Sequence, residues 1–241
     1  MGQIFRKKQG YSIVIPILNE GRNLEELVLK IKNNLKKFNF EIIFIDDNSK
    51  DDTFSFLKKL KKKNNFIKYF IRKKNPDLSK SCIHGFNKSK FDSIIVMDGD
   101  LQHDPKYLPR MIKIFKDKNL DFVVAARNFK NYSIPGLSTT RYTASKILIY
   151  IFFIFVGTKT ADPMSGFFIF KKNIFIKNKK RLFGRGYKIL SDLIYSNNKS
   201  INVQDLIITF NLRKKGDSKM NFKVLLNIIV FIFYNFYRRI F

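Results

Sequence analysis

Ser93-Ile-Ile-Val-Met-Asp-Gly-Asp100 runs four apolar residues straight into two acids. A short run rich in β-branched residues predicts a buried strand over Ser93–Met97. The acids beyond it belong at a polar edge, because an unpaired carboxylate in a core is costly. Upstream the same pattern recurs. Ser12–Ile17 reads as a strand followed by Asn19-Glu20, and Glu41–Ile45 as one followed by Asp46-Asp47. Phe66–Ile71 is another strand, and Phe122–Ala126 one that ends on Arg127.

Helical patterns fill the gaps. Leu24, Leu27, Val28, Ile31 and Leu35 recur at helical spacing. A second helix carries Phe54, Leu57 and Leu60, with Asn48 and Ser49 as its expected caps. Ser79–Lys88 is a third, and Pro105 opens a fourth with Leu108, Ile112 and Phe115 on one face. This alternation predicts an α/β fold with a mostly parallel central sheet flanked by helices. In such sheets ligands bind beyond the carboxyl ends of the strands. Four strand ends here deliver acids and an arginine to that one edge.

The regularity fades after about residue 130. Ser133–Ser138 reads as a loop, Thr139–Val156 as a helix and Ser165–Phe170 as a strand. Tyr187–Tyr195 reads as a helix, Ile201–Asn211 as a strand and Arg213–Asn221 as a basic loop before a last helix. Two apolar stretches, Ile147–Val156 and Val224–Phe236, fall short of the ~20 residues of a spanning helix and suit a core or a membrane interface. No signal peptide is expected in the short basic segment Met1 to Gly10.

Lys and Arg number 47 against 19 Asp and Glu, a net charge of +28, which favours polyanionic partners: anionic lipid, phosphorylated substrates or nucleic acid. No motif for specific nucleic-acid readout accompanies it, so RNA binding is expected only as bulk electrostatics. The single cysteine, Cys82, excludes an internal disulfide. Neither a G-x-G-x-x-G nor a P-loop occurs, and His84 and His103 stand apart from any ligand set.

Asp98-Gly99-Asp100 carries the chemistry. On extended chain, residues two apart face the same side, so both carboxylates can serve one hard cation, with Gln102 adding a neutral oxygen. Gly99 is expected to leave room for a ligand to approach the backbone. A lone D-x-D is most often a solvated turn; among acidic strand ends it reads as a metal site. Asp46-Asp47 reads equally as a helix cap or as hydrogen-bonding partners of a base or ribose.

Ser12-Ile-Val-Ile-Pro-Ile-Leu-Asn-Glu20, Ile45-Asp-Asp-Asn-Ser49, Val96-Met-Asp-Gly-Asp-Leu-Gln-His-Asp-Pro105, Asp162-Pro-Met-Ser-Gly-Phe-Phe168 and Leu212-Arg-Lys-Lys-Gly-Asp-Ser-Lys219 resemble, in order, the motifs of family-2 glycosyltransferases of GT-A fold. Within them they are most similar to the polyprenyl-phosphate (dolichol-phosphate) mannosyltransferase branch. The resemblance implies that Pro16, Leu18, Glu20, Ile45 and Asp47 line a nucleotide pocket, with Lys80 near the donor. The family often has an aromatic residue at Leu18 and commonly Ala at Gly99. Asp98, Gly99, Asp100 and Gln102 would meet Mg²⁺ or Mn²⁺ and the donor diphosphate. Arg127, Arg141, Ser165, Arg213 and Lys219 would hold donor and acceptor phosphates, with Asp100, Arg127 and Arg213 closest to the reaction.

The implied organisation is a catalytic domain over residues 1–220 and a C-terminal apolar and basic helix over 221–241. The implied reaction is inverting transfer of a hexose, with mannose from GDP-mannose favoured, to a polyprenyl phosphate at the cytoplasmic face of a membrane. A lipid phosphate is already anionic, so it needs cations rather than a general base. Transfer from UDP-glucose or of an amino sugar stays open. So does transfer to a sugar hydroxyl, with Asp192 as base. A D-x-D-x-[TV] phosphatase is a distant alternative, since Gln102 holds the fifth position.

Overall fold

The computed structural model describes residues 9–127, 159–197 and 200–210, together with Tyr150, Phe153, Val230 and Tyr234. Strands β1 (Tyr11–Ile17), β2 (Phe40–Asp46), β3 (Ile67–Ile71), β4 (Ser93–Val96), β5 (Phe122–Arg127), β6 (Phe168–Lys171) and β7 (Val203–Ile208) form one sheet in the order β3-β2-β1-β4-β6-β5-β7. The first four are mutually parallel, β5 and β7 are parallel, and β6 runs antiparallel between β4 and β5.

The helices are α1 (Leu24–Asn34), α2 (Thr53–Lys63), α3 (Leu78–Lys88), α4 (Leu108–Asp117), α5 (Lys172–Asn178) and α6 (Ile189–Tyr195). The alternation of strand side chains divides them into two layers. Ile13, Ile15, Ile42, Phe44 and Val123 face α1, α2 and α4, which contribute Leu27, Ile31, Leu57, Met111 and Ile112. Val14, Ile43, Val96, Phe168 and Phe170 face α3, α5 and α6, which contribute Cys82, Phe86, Phe175 and Leu193. Gly85 of α3 crosses close over β1: a Cβ there would lie 2.3 Å from Val14 Cγ1.

Three local expectations are corrected. Asn48 and Ser49 do not cap α2, whose N-cap residue is Asp52. Ser49 instead donates to Asp46 Oδ1 through both its amide and hydroxyl, at 3.0 and 2.5 Å. Phe54 is half exposed, so the buried face of α2 is Thr53, Leu57 and Leu60. Strand β6 begins at Phe168 rather than Ser165, because the Ser165 hydroxyl bonds to the Ala125 carbonyl at 2.7 Å and bends the chain before it.

Arg141, Arg213 and Lys219 lie outside the described residues, as do the Ser133–Ser138 and Arg213–Asn221 loops. Of the two apolar stretches only Tyr150, Phe153, Val230 and Tyr234 are described, all helical. Tyr234 sets its ring 5.3 Å from that of Phe183. Among the described residues no helix is long and apolar enough to cross a membrane.

Candidate active site

Successive strand ends step across the sheet edge. The Asp47 amide donates to the Ile17 carbonyl at 2.9 Å, and the Arg72 amide to that of Asp46 at 2.8 Å. The loops beyond β1 and β2 clasp each other: Asn19 N–H donates to Ser49 Oγ, and Lys50 N–H to Asn19 Oδ1, both at 2.8 Å. Asn19 and Asn48 adopt positive φ, which asparagine tolerates better than most residues.

Asp47 is buried with both oxygens engaged: Oδ1 meets Arg72 Nη1, and Oδ2 accepts the Asp77 amide at 2.5 Å. Burial outweighs these partners and holds its pKa above the ordinary aspartate value. Arg72 also donates to Ser81 Oγ at 3.1 Å. Asp77 caps α3 by accepting from the Lys80 amide, and its second oxygen accepts from Gly186 N–H at 3.0 Å. Asp47 therefore binds β2, β3, the α3 entry and the 183–186 loop into one frame. Arg72 and Asp77 were missed in the sequence, although Arg72 follows a strand end as directly as Asp47 does.

Asp98 leaves β4 with its side chain 37% exposed. Gly166 packs against it; a Cβ on that glycine would stand 2.7 Å from Oδ2 and 2.9 Å from Oδ1. Asp100 is buried and accepts from the Gln102 amide at 3.1 Å. Burial, followed by the fields of Asp98, Asp77 and Asp47, pushes the Cys82 thiol well up.

The other expected residues are placed as follows. Glu20 lies beside Gly99 and takes a 2.7 Å hydrogen bond from Asn23 Nδ2. Leu18 is half-buried, Pro16 is buried opposite Ile45 in the β1–β2 register, and Lys80 is exposed. Ile45 is wholly buried in the α3-side core. A Cβ on Gly99 would meet Ile17 Cγ2 at 2.7 Å, so the missing side chain gives β1 room.

Arg127 is gripped in bidentate fashion by Asp162, Nε to Oδ2 and Nη2 to Oδ1, both 2.7 Å. Burial would depress the guanidinium, but Asp162 reverses this and holds its pKa above the usual value. Ser165 is buried, and its hydroxyl is shared between Ala125 and Phe167 backbone groups. That hydroxyl pins the backbone ahead of β6. Asp192 accepts from Phe183 N–H at 2.9 Å, Gly184 N–H at 2.7 Å and Ser196 Oγ at 3.0 Å. It is buried against its own loop, and burial raises its pKa.

Residues 12–178 match the family described as glycosyl transferase family 2. The chain belongs to that family. It is 33% identical over 216 residues to a dolichol-phosphate mannosyltransferase of Pyrococcus furiosus, covering 89% of this chain and 60% of that protein. It is 27% identical over 225 residues to the dolichol-phosphate mannosyltransferase of Mycosarcoma maydis, covering 89% of this chain and 74% of the relative. The chain thus spans about three fifths of the length of the archaeal relative. Glucosyl-3-phosphoglycerate synthase from Mycobacterium tuberculosis, solved with Mn²⁺, UDP-glucose and phosphoglyceric acid, superposes with a TM-score of 0.71 at 15% identity, covering 95% of this chain and 80% of that one. That likeness establishes the shared GT-A fold.

Proposed function

We propose that this protein transfers a hexose from a nucleotide-sugar donor to a polyprenyl phosphate, with mannose from GDP-mannose as the favoured donor. The observation that carries the reading is the Asp98-Gly99-Asp100 turn beside Gly166, in a chain whose relatives are named dolichol-phosphate mannosyltransferases. Asp47, Arg72 and Asp77 form the rigid wall on the nucleotide side.

Asp98 and Asp100, with Gln102, fit a hard divalent cation such as Mg²⁺ or Mn²⁺. The donors are oxygens, and Asp98 is open to solvent on one side. Among the described residues no cluster of three or more His, Cys, Asp or Glu could hold a metal by itself. Mg²⁺ is commonly shared between one or two carboxylates and substrate phosphates, so the donor diphosphate would supply further ligands. When bound, the cation would supply positive charge to the departing nucleoside diphosphate. Asp98 and Asp100 orient the diphosphate, and Gly166 keeps the approach to Asp98 open. Arg127, Arg141, Arg213 and Lys219 provide positive charge for the attacking phosphate, which needs no proton removed. Direct displacement inverts the anomeric carbon.

The hydroxyl-acceptor alternative requires Asp192 as base, but that carboxylate faces its own loop and helix. The +28 charge and the apolar stretches near Tyr150 and Tyr234 favour a peripheral position on an anionic membrane. The test is a screen of labelled GDP-mannose, UDP-glucose and UDP-N-acetylglucosamine with polyprenyl phosphate in anionic liposomes, with and without Mg²⁺ or Mn²⁺. A labelled lipid product with inverted stereochemistry and co-flotation of the protein are expected. Label released only to water or passed to sugar hydroxyls would overturn the acceptor assignment.

A further inference from the structure

The turn that presents Asp98 is built around a residue outside the expected ligand set. Asp98 N–H donates to Nδ1 of His103 at 3.1 Å. His103 is buried, its ring 5.2 Å from that of Phe167 and 5.1 Å from that of Phe210. A ring nitrogen that accepts an amide hydrogen carries no proton of its own, so the hydrogen-bond network implies the Nε2–H tautomer. Asp98 Oδ2 lies 3.5 Å from the same nitrogen, long for a hydrogen bond. The contact is therefore made through the backbone of Asp98 and not by an ion pair.

Between the two residues the chain takes an unfavourable course. Leu101 has φ 63, a left-handed conformation that a branched apolar residue rarely adopts. Such backbone persists only where its surroundings hold it. Here the Leu101 side chain is buried in the α1-side core, the Gln102 amide is tied to Asp100, and the Asp98 amide is tied to His103. The missing Cβ of Gly166 leaves the Asp98 carboxylate the room it occupies.

We propose that His103 is a positioning residue: by accepting the Asp98 amide hydrogen it holds the 98–103 turn in the form that aims the Asp98 carboxylate at the cation and diphosphate. The inference rests on the metal-site reading above. It assigns to His103 the supporting role that polar neighbours play around metal ligands, whose loss typically weakens metal binding about 10–100-fold.

Three proteins test it: the wild type, His103→Asn, whose side-chain oxygen can replace Nδ1 as acceptor, and His103→Phe, which keeps the aromatic packing without the acceptor. Mn²⁺ affinity is measured by electron paramagnetic resonance with GDP and, in parallel, with UDP. Hydrogen exchange is followed on the peptide containing the Asp98 amide. His103→Phe is expected to bind Mn²⁺ about 10–100-fold more weakly and to lose protection at Asp98, while His103→Asn recovers most of both. Wild-type affinity in His103→Phe, or equal damage in the two variants, overturns the inference. If His103→Phe does not fold, His103→Leu takes its place under the same criteria. A wild type that takes up no Mn²⁺ with either nucleotide overturns the metal site itself, and the inference with it; that outcome is read from the wild type alone.

Discussion

Gly166→Ala places one methyl group against the carboxylate at the centre of the proposed site. Its Cβ would sit 2.7 Å from Asp98 Oδ2, 2.9 Å from Oδ1 and 3.0 Å from Cγ. Relaxed contacts between such atoms need about 3.5 Å, so the carboxylate must retreat by roughly 0.8 Å. Asp98 is 37% exposed and can move toward solvent, so the fold itself should tolerate the change. Gly166 is not among the positive-φ glycines, and replacing such a glycine gains about 0.4–1 kcal/mol from a less flexible unfolded chain, offsetting part of the crowding. Stability should therefore shift by less than about 1 kcal/mol. Activity should not be spared: a displacement near 1 Å of a positioning group can cost about 100-fold, so a fall of roughly 10–100-fold in kcat/KM is expected. Gly99→Ala is the paired control. Its methyl would strike Ile17 Cγ2 at 2.7 Å in the core, a packing conflict of about 1–3 kcal/mol on the β1 side. The assays are initial rates of labelled transfer to polyprenyl phosphate and urea denaturation of both variants. Full turnover by Gly166→Ala at limiting metal would refute the placement of Asp98 at the reacting diphosphate.

Three further changes probe the surrounding frame. Asp162→Asn leaves the Arg127 guanidinium without its buried counter-charge; the loss should be about 3 kcal/mol in urea denaturation, at the low end for a broken buried pair because Arg127 keeps 22% exposure. A loss under about 0.5 kcal/mol would show the pair to be dispensable. Lys188 is buried close to Asp192 and Asp77, and burial lowers its pKa to about 7 despite their opposing fields. Between about pH 7 and 10.5 the unfolded chain binds the proton that the folded one has released, so this lysine makes stability rise with pH across that window. Lys188→Met should accordingly be most stabilised relative to wild type near pH 7, the gap in thermal midpoint narrowing toward pH 10; a constant gap would contradict the buried-lysine assignment. Asp192→Asn should loosen the 183–186 loop and lower stability by about 1–3 kcal/mol while kcat stays within about tenfold. A drop of several orders of magnitude in kcat would instead support a base at that position.

Much of this protein was legible in the sequence because the signals are local. Period-two and helical spacings are written into neighbouring residues, so β1 to β5, α1 and α3 were readable within one or two positions, while α2 and α4 begin later, at Thr53 and Leu108. The rule that strand ends carry the site led to Asp47, Asp98 and Arg127 for the same reason. What only tertiary structure decided is which side chains those residues meet. Strand β6 slots antiparallel between β4 and β5, and that brings Gly166 against Asp98 and Phe167 against His103. Those contacts span more than sixty positions of chain, and nothing in either segment alone encodes the partner. Arg72 and Asp77 were overlooked because their meaning depends on Asp47 lying beside them across parallel strands. For Ile45, Gly99 and Ser165 a motif shows that a residue type is needed but not whether it is needed for a ligand or for a neighbouring strand. Packing distances separate the two, and a one-dimensional sequence carries none.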